Sequence, residues 1–290
     1  MGTLFFYITL PLLYLISILP FWVLQRLSDI IYFIIYHLIG YRKKVVFENL
    51  SNSFPEKKNE ELLKIQKRFY RYFCDLILET LKTLTISPKS LRKHVTFQDL
   101  EVFEKYKQQN QSIIIVMGHF GNWELGGARF ALESYHKLYV IYHPLANKNF
   151  DGLVYKMRTR LGNGLYAMKN AIRGMIENKD NLTATAFIAD QTPSASGAYW
   201  TNFMHQDTPI FTGAGKIAKK LNYPVVYISI DRNKRGYYNV SLEDIVPNPS
   251  EYSVEEISEM YTRRLEQDIQ RNPEIWLWSH RRWKHKRQKT

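Results

Sequence analysis

The chain opens on nearly continuous apolar residues, passes into a helical 3.6-residue rhythm, and from about residue 95 alternates short apolar runs with amphipathic ones. Residues 3 to 24, "TLFFYITLPLLYLISILPFWVL", carry no charge. As one helix they would rise roughly 33 Å, enough to cross a hydrocarbon core. Pro11 and Pro20 would kink that helix, so a segment lying in the membrane is the alternative to one crossing it. The next run, "IIYFIIYHLIGY" (30 to 41), reads as too short to span and is followed by Arg42, Lys43 and Lys44. No basic residue precedes the first run and no small-residue cleavage site follows it, which argues against a removable signal peptide. The basic flank on its C-terminal side predicts a cytoplasmic body.

Residues 60 to 84, "EELLKIQKRFYRYFCDLILETLKTL", repeat apolar positions at helical spacing. Beyond them, strand-like runs are expected at 112 to 117, 138 to 143, 183 to 190, 224 to 230 and 237 to 245. Helical patterns fall at 123 to 135, 149 to 161, 170 to 178, 212 to 221 and 253 to 271. This alternation predicts an α/β fold, with a mixed, mostly parallel central sheet flanked by helices and an N-terminal helical membrane-associated region. Three stretches follow: 1–44, membrane anchor and interfacial helix; 45–95, amphipathic helices; 96–290, the α/β body with a basic tail.

Composition sharpens the choice of partner. Forty basic residues against 27 acidic ones give +13 at neutral pH, which calls for an anionic partner. No helix-turn-helix, zinc-finger or aromatic RNA-binding pattern is present, so the reading is an anionic membrane surface and no nucleic acid. The tail "HRRWKHKRQKT", with Trp276, Trp278 and Trp283 close by, suits lipid headgroups, with a merely solvated basic end as the alternative. Cys74 stands alone, which excludes an internal disulfide and a cysteine-based metal cage and fits a reducing compartment.

The candidate chemistry sits in "IIIVMGHFGNWELGG" (113 to 127). In a continuous helix His119 and Glu124 would point about 140° apart. Here a strand runs to Met117, Gly118 and Gly121 permit a sharp turn, and a helix starts near Trp123. His119 then stands at the carboxyl end of a strand, where open α/β sheets place their ligand sites. Glu124, in the first helical turn, is positioned to accept the Nδ1 proton of His119 and leave Nε2 free as a base. No serine or cysteine lies beside His119, so the proton it takes belongs to a substrate hydroxyl. The bland alternative is a loop histidine beside a helix-start glutamate.

"GHFGNWELGG" resembles the His-four-residues-acid motif of the glycerolipid acyltransferase superfamily, and more narrowly that of the late acyltransferases of lipid A biosynthesis, which carry Glu at the acidic position. Nearly the whole chain shares in the likeness. "LIGYRKKVVFENLSNSFPE" (38 to 56), "VIYHPLANKNFDGLVYKMRTRLGN", "FIADQTP" and "WLWSHRRWK" each resemble a segment of that family. The resemblance implies that His119 deprotonates an acceptor hydroxyl, often the 3-hydroxyl of an acyl chain already on the lipid. Glu124 would orient His119. The acyl donor would be an acyl-acyl carrier protein, with no metal and no cofactor required. It further implies that Arg158 or Arg160 holds an anionic group such as a phosphate, the two being interchangeable at this stage, and that Asp190 and Gln191 share the rim with His119.

Other residues read differently. Lys169 and Arg173 belong to the surface, and His143 stands where the family often has Arg. His280, Arg281 and Arg282 fit the C-terminal signature, in catalysis or in contact with a carrier protein or membrane. The expected function is O-acylation of a lipid A precursor at the cytoplasmic face of the inner membrane. The rivals are acylation of a different membrane lipid and an inactive membrane-surface binding protein. An aromatic-lined pocket is expected for the acyl chain, its length unreadable from the divergent residues after Gln191.

Overall fold

The computed structural model describes residues 2–133, 135–195 and 198–287. Five helices precede the sheet: α1 (Gly2–Ile18), α2 (Phe21–Tyr32, continued as a π-helical stretch Phe33–Ile39), α3 (Lys43–Ser53), α4 (Asn59–Lys82) and α5 (Pro88–His94). The anticipated single helix over residues 3 to 24 does not form. It breaks at Pro20, which supplies no N–H and disfavours helical backbone at Leu19. Pro11 is accommodated inside α1. The run from residue 30, read as too short to span, belongs instead to Phe21–Ile39, a helix long and apolar enough to cross a membrane by length and composition.

The body alternates as expected, through β1 (Val95–Phe97), α6 (Glu101–Gln108), β2 (Ile113–Met117), α7 (Trp123–Phe130), β3 (Lys137–Tyr142), α8 (Lys148–Thr159), β4 (Gly164–Ala167), α9 (Ala171–Glu177) and β5 (Thr183–Ile188). A small hairpin follows, β6 (Tyr199–Phe203) with β7 (Gln206–Ile210), then α10 (Gly213–Leu221), β8 (Val225–Lys234), β9 (Tyr237–Val246) and α11 (Val254–Arg271). The sheet order is β1-β9-β8-β2-β5-β3-β4, parallel throughout except for the antiparallel β8–β9 pair. The mixed, mostly parallel sheet flanked by helices is therefore as the alternation foretold. The short strands β1 and β4 and the β6–β7 hairpin escaped the sequence reading, being brief or lacking a clean apolar alternation.

Both faces of the sheet are covered, which is why its central strand β2 is apolar at every position. In β2, Ile114 and Val116 pack with α10, α11 and α4, whereas Ile113 and Ile115 pack with α5, α6 and α7. The C-terminal segment contributes to the first of these layers. Trp276 and Trp278 are buried there, and Arg282 is 2% exposed. That corrects their expected placement at lipid headgroups. Residues 288–290 of the basic tail lie outside the described residues.

Candidate active site

β2 and β5 are parallel neighbours, and their pairing ends with Met117 opposite Ile188. Two residues past that pair stand His119 on one strand end and Asp190 on the other. The backbone N–H of His119 donates to Asp190 Oδ2 at 2.7 Å, and His119 Nδ1 lies 2.6 Å from Asp190 Oδ1. The indole Nε1–H of Trp276 donates to the same Oδ2 at 2.7 Å. Burial alone would raise the Asp190 carboxyl. The neighbouring His119 and the hydrogen bonds from His119 and Trp276 outweigh it and hold the group at about 2. The carboxylate that fixes the His119 ring is thus Asp190. Glu124, expected in that role, is committed elsewhere.

The turn after β2 explains why. Gly118 has no room for a side chain, since a Cβ there would meet Leu265 at 2.6 Å and Asp190 Oδ2 at 3.2 Å. Gly121 adopts φ +62° with a β-carbon position only 1.9 Å from the Ile230 carbonyl oxygen, so only glycine fits. Its carbonyl accepts from the Tyr72 hydroxyl at 2.5 Å, and its N–H donates to the Ile275 carbonyl at 2.9 Å. Leu277 N–H in turn donates to the His119 carbonyl at 3.2 Å, so residues 275 to 277 run antiparallel along the turn. Asn122, fully buried, caps α7 by accepting from Leu125 N–H at 3.0 Å. Its amide donates to Glu79 Oε2 at 2.7 Å, on the inner face of α4.

Starting α7 at Trp123 points Glu124 away from His119 and toward α8. Arg158 grips it with both ends of its guanidinium, Nε donating to Oε2 at 3.0 Å and Nη2 to Oε1. Burial would lower the arginine's pKa, but the Glu124 carboxylate raises it on balance. Arg160, the other candidate for an anion contact, instead donates to the carbonyls of Thr83 at 3.0 Å and Ile86 at 2.5 Å. It ties α8 to the turn after α4 and is occupied by backbone. Gln191 Nε2 lies 3.3 Å from His119 Nε2, beside the nitrogen that Asp190 leaves free.

Trp123 meets the His119 ring edge to face at 4.7 Å and also lines a cavity running between the sheet and α7. Glu124 and Arg158 stand in the wall of that cavity. Apart from Thr83 and Asn163, the remaining wall is apolar and mostly aliphatic, with Ile115, Val140, Ile188, Ile228 and Val240. Phe97, Trp123 and Phe130 are its aromatic contributors, fewer than an aromatic-lined pocket implies. Gly127 on α7 has open space where a Cβ would be.

Two neighbours carried only weak sequence signals. The sequence suggests lipid contact for Trp276 and leaves His280 open between catalysis and contact. His280 Nε2 lies 3.1 Å from the Thr192 hydroxyl, and burial drives its pKa down to about 4, so it is neutral above that pH. Both belong to "WLWSHRRWK", the segment that could have revealed them. His143 is exposed with Nδ1 3.0 Å from the Pro144 carbonyl, and exposed Arg173 pairs with Glu177. Neither joins the site. Among the described residues no cluster of three His, Cys, Asp or Glu side chains is arranged to hold a metal.

The sequence profile of the bacterial lipid A biosynthesis acyltransferases matches residues 2–285. The lipid A biosynthesis palmitoleoyltransferase of Escherichia coli (strain K12) is 24% identical over 84% of this chain and 79% of its own length. The lauroyltransferase of the same organism is 24% identical over 94% of this chain and 89% of its own. A lipid A biosynthesis acyltransferase of Haemophilus influenzae is 26% identical over 92% and 86%. A match from end to end, through the His119 turn and the C-terminal tryptophans that brace it, shows that this chain belongs to the bacterial lipid A biosynthesis acyltransferase family.

Proposed function

We propose that the protein transfers a fatty acyl chain from acyl-acyl carrier protein to a hydroxyl of a lipid A precursor, at the cytoplasmic face of the inner membrane, with His119 as general base. The observation that carries this reading is the His119–Asp190 pair. With Nδ1–H donated to an ionised, buried carboxylate, Nε2 is the basic nitrogen. His119 Nε2 takes the acceptor's hydroxyl proton, and the oxygen attacks the thioester carbonyl. The tetrahedral oxyanion collapses, the C–S bond breaks, and the carrier's thiolate receives the proton from His119. Asp190 keeps its charge throughout and stabilises the imidazolium. Gln191, beside Nε2, is placed to hold the acceptor hydroxyl or the developing oxyanion.

Glu124 and Arg158 serve the substrate rather than the base. The carboxylate holds Arg158 with its remaining donors available to an anionic group, a phosphate of the acceptor being the chemical match. The apolar lining behind them has the character an acyl chain needs, in a cavity of about 50 Å³ that must open further to hold one. Membrane association is supported by the apolar N-terminal helices and the +13 charge.

The test is to incubate membranes containing the protein with acyl-acyl carrier protein and a tetra-acylated lipid A precursor and weigh the lipid. A gain of one acyl group, absent with His119→Ala, is the expected result. A gain only on other lipids would move the substrate, and no transfer to any lipid would sink the reading.

A further inference from the structure

We propose that α1 and α2 do not cross the bilayer but lie along the body, sunk sideways into one leaflet, so that the acceptor lipid reaches Arg158 laterally along the seam between α1 and α8. The inference rests on the reading that the substrate is a membrane lipid and adds how the protein sits on that membrane.

A helix that spans must leave the body behind within a turn or two, because about 30 Å of hydrocarbon separates the two surfaces. Neither helix does so. Near its start α1 stacks Phe6 against Phe150 of α8, ring centres 5.1 Å apart. At its end the carbonyls of Ser17, Ile18 and Leu19 accept from Lys82 Nζ at 2.8, 3.1 and 2.6 Å. The Thr85 hydroxyl adds a further bond to Ser17, at 2.6 Å. The break between the two helices is therefore held on the body and cannot be the far tip of a hairpin through the membrane. Along α2, Arg235 of the β8–β9 turn donates to the Gln25 carbonyl at 2.9 Å and pairs with Asp29 at 2.8 Å. Tyr36 donates to Gln66 of α4 at 3.3 Å. These ties extend over about 17 Å of helix. An ion pair at mid-helix would also be costly at the centre of a bilayer.

The opposite faces of the same helices are bare. Fourteen of the 21 large apolar side chains exposed among the described residues fall between Leu4 and Tyr41, including Phe5, Leu12 and Leu15 of α1 and Ile30, Phe33 and Leu38. So many exposed apolar side chains gathered on the N-terminal helices call for an apolar occupant. Charge identifies it: the first 44 residues hold Arg26, Arg42, Lys43 and Lys44 against the single acid Asp29, the complement of an anionic leaflet. The α1 contact then supplies the route. Phe6, Leu84, Leu153 and Met157 form one cluster, and Met157 also lines the cavity beside Arg158. A lipid moving in the leaflet along α1 meets α8 and, one residue beyond Met157, the arginine.

The test uses the full chain, with Cys74→Ser to remove the native thiol, in vesicles of phosphatidylethanolamine and phosphatidylglycerol. Single cysteines are placed at Ile18→Cys, Leu15→Cys and, as the body reporter, Lys93→Cys. With a membrane-impermeant maleimide, Ile18→Cys is expected to label from the Lys93→Cys side or to be protected until detergent is added. A fluorophore on Leu15→Cys should lose most of its emission to lipids brominated near the headgroup end of the chain. Labelling of Ile18→Cys only from the opposite side would overturn the proposal, as would a Leu15→Cys fluorophore that no brominated lipid quenches. Acyl transfer from acyl-acyl carrier protein to a tetra-acylated lipid A precursor incorporated in the same vesicles keeps the two readings apart. Its loss with unchanged labelling would sink the functional reading and leave the topology standing.

Discussion

Asp190 receives three donors within 2.7 Å, two of them from His119, and this convergence decides which nitrogen of the ring carries the proton. Asp190→Asn presents an amide to Nδ1 and favours the tautomer with Nε2 protonated. Acyl transfer should fall by about 10² to 10⁴ while the acceptor KM changes little. A wild-type rate would exclude the orienting role. The same carboxyl makes stability pH-dependent. Its pKa falls from 3.8 to about 2 on folding, so its contribution is complete above pH 4 and is lost as the pH drops through 2. Urea titrations should therefore find Asp190→Asn more destabilising at pH 6 than at pH 2. The two arginines separate cleanly at this scale. Arg158→Ala should abolish transfer, and it also lowers stability by leaving the Glu124 carboxylate unpaired. Arg160→Met should lower the melting temperature, by losing the bonds to Thr83 and Ile86, and spare the chemistry. Matching profiles for the two variants would contradict the assignment.

At the level of elements, α4 holds the turn that connects β2 to α7. Tyr72 and Glu79, two turns apart on its inner face, reach Gly121 and Asn122 respectively. Glu79 also accepts from the Tyr238 hydroxyl at 2.6 Å. Burial raises its pKa from 4.5 to about 7 against those hydrogen bonds. Between those two values the folded protein keeps a proton that the unfolded chain has lost, so stability falls as the pH rises from 4.5 to 7. The full cost, on the order of 3 kcal/mol, is present above pH 7. Glu79→Gln keeps an acceptor oxygen and removes the charge. Its melting temperature relative to wild type should therefore be higher at pH 8 than at pH 5, and a difference independent of pH would refute this. Asn122→Ala removes the cap of α7, worth about 1 kcal/mol, and strips Glu79 of a donor, about 1–3 kcal/mol more. Calorimetry should show both losses together.

For the whole molecule, the N-terminal helices are part of the packing, whatever they do in a membrane. Removing residues 2–20 takes away all the acceptors that Lys82 uses and opens the cluster around Phe6 and Leu84. Such a truncation should aggregate or lose helix content in mild detergent. A monodisperse, fully folded product by circular dichroism and size-exclusion chromatography would show that the helices are a detachable anchor.

Much of this was local, and therefore legible. The strands from 113 to 246 with the long helices between them follow from hydrophobic period, and Pro20 marked a weak point in the apolar run. His119 at a strand end and Asp190 at another could each be placed from the sequence, as could the glycines that free the turn between β2 and α7. Which carboxylate meets His119 could not. Glu124 is five residues away along the chain and Asp190 is 71, yet the parallel register of β2 and β5 brings the distant one to Nδ1 and the cap at Asn122 turns the near one to Arg158. The choice between Arg158 and Arg160, and the burial of Trp276, likewise depend on how helices and strands pack after long crossovers. Periodicity along a chain encodes which face of an element is apolar; partners across elements are chosen by register and packing, which only the tertiary structure sets.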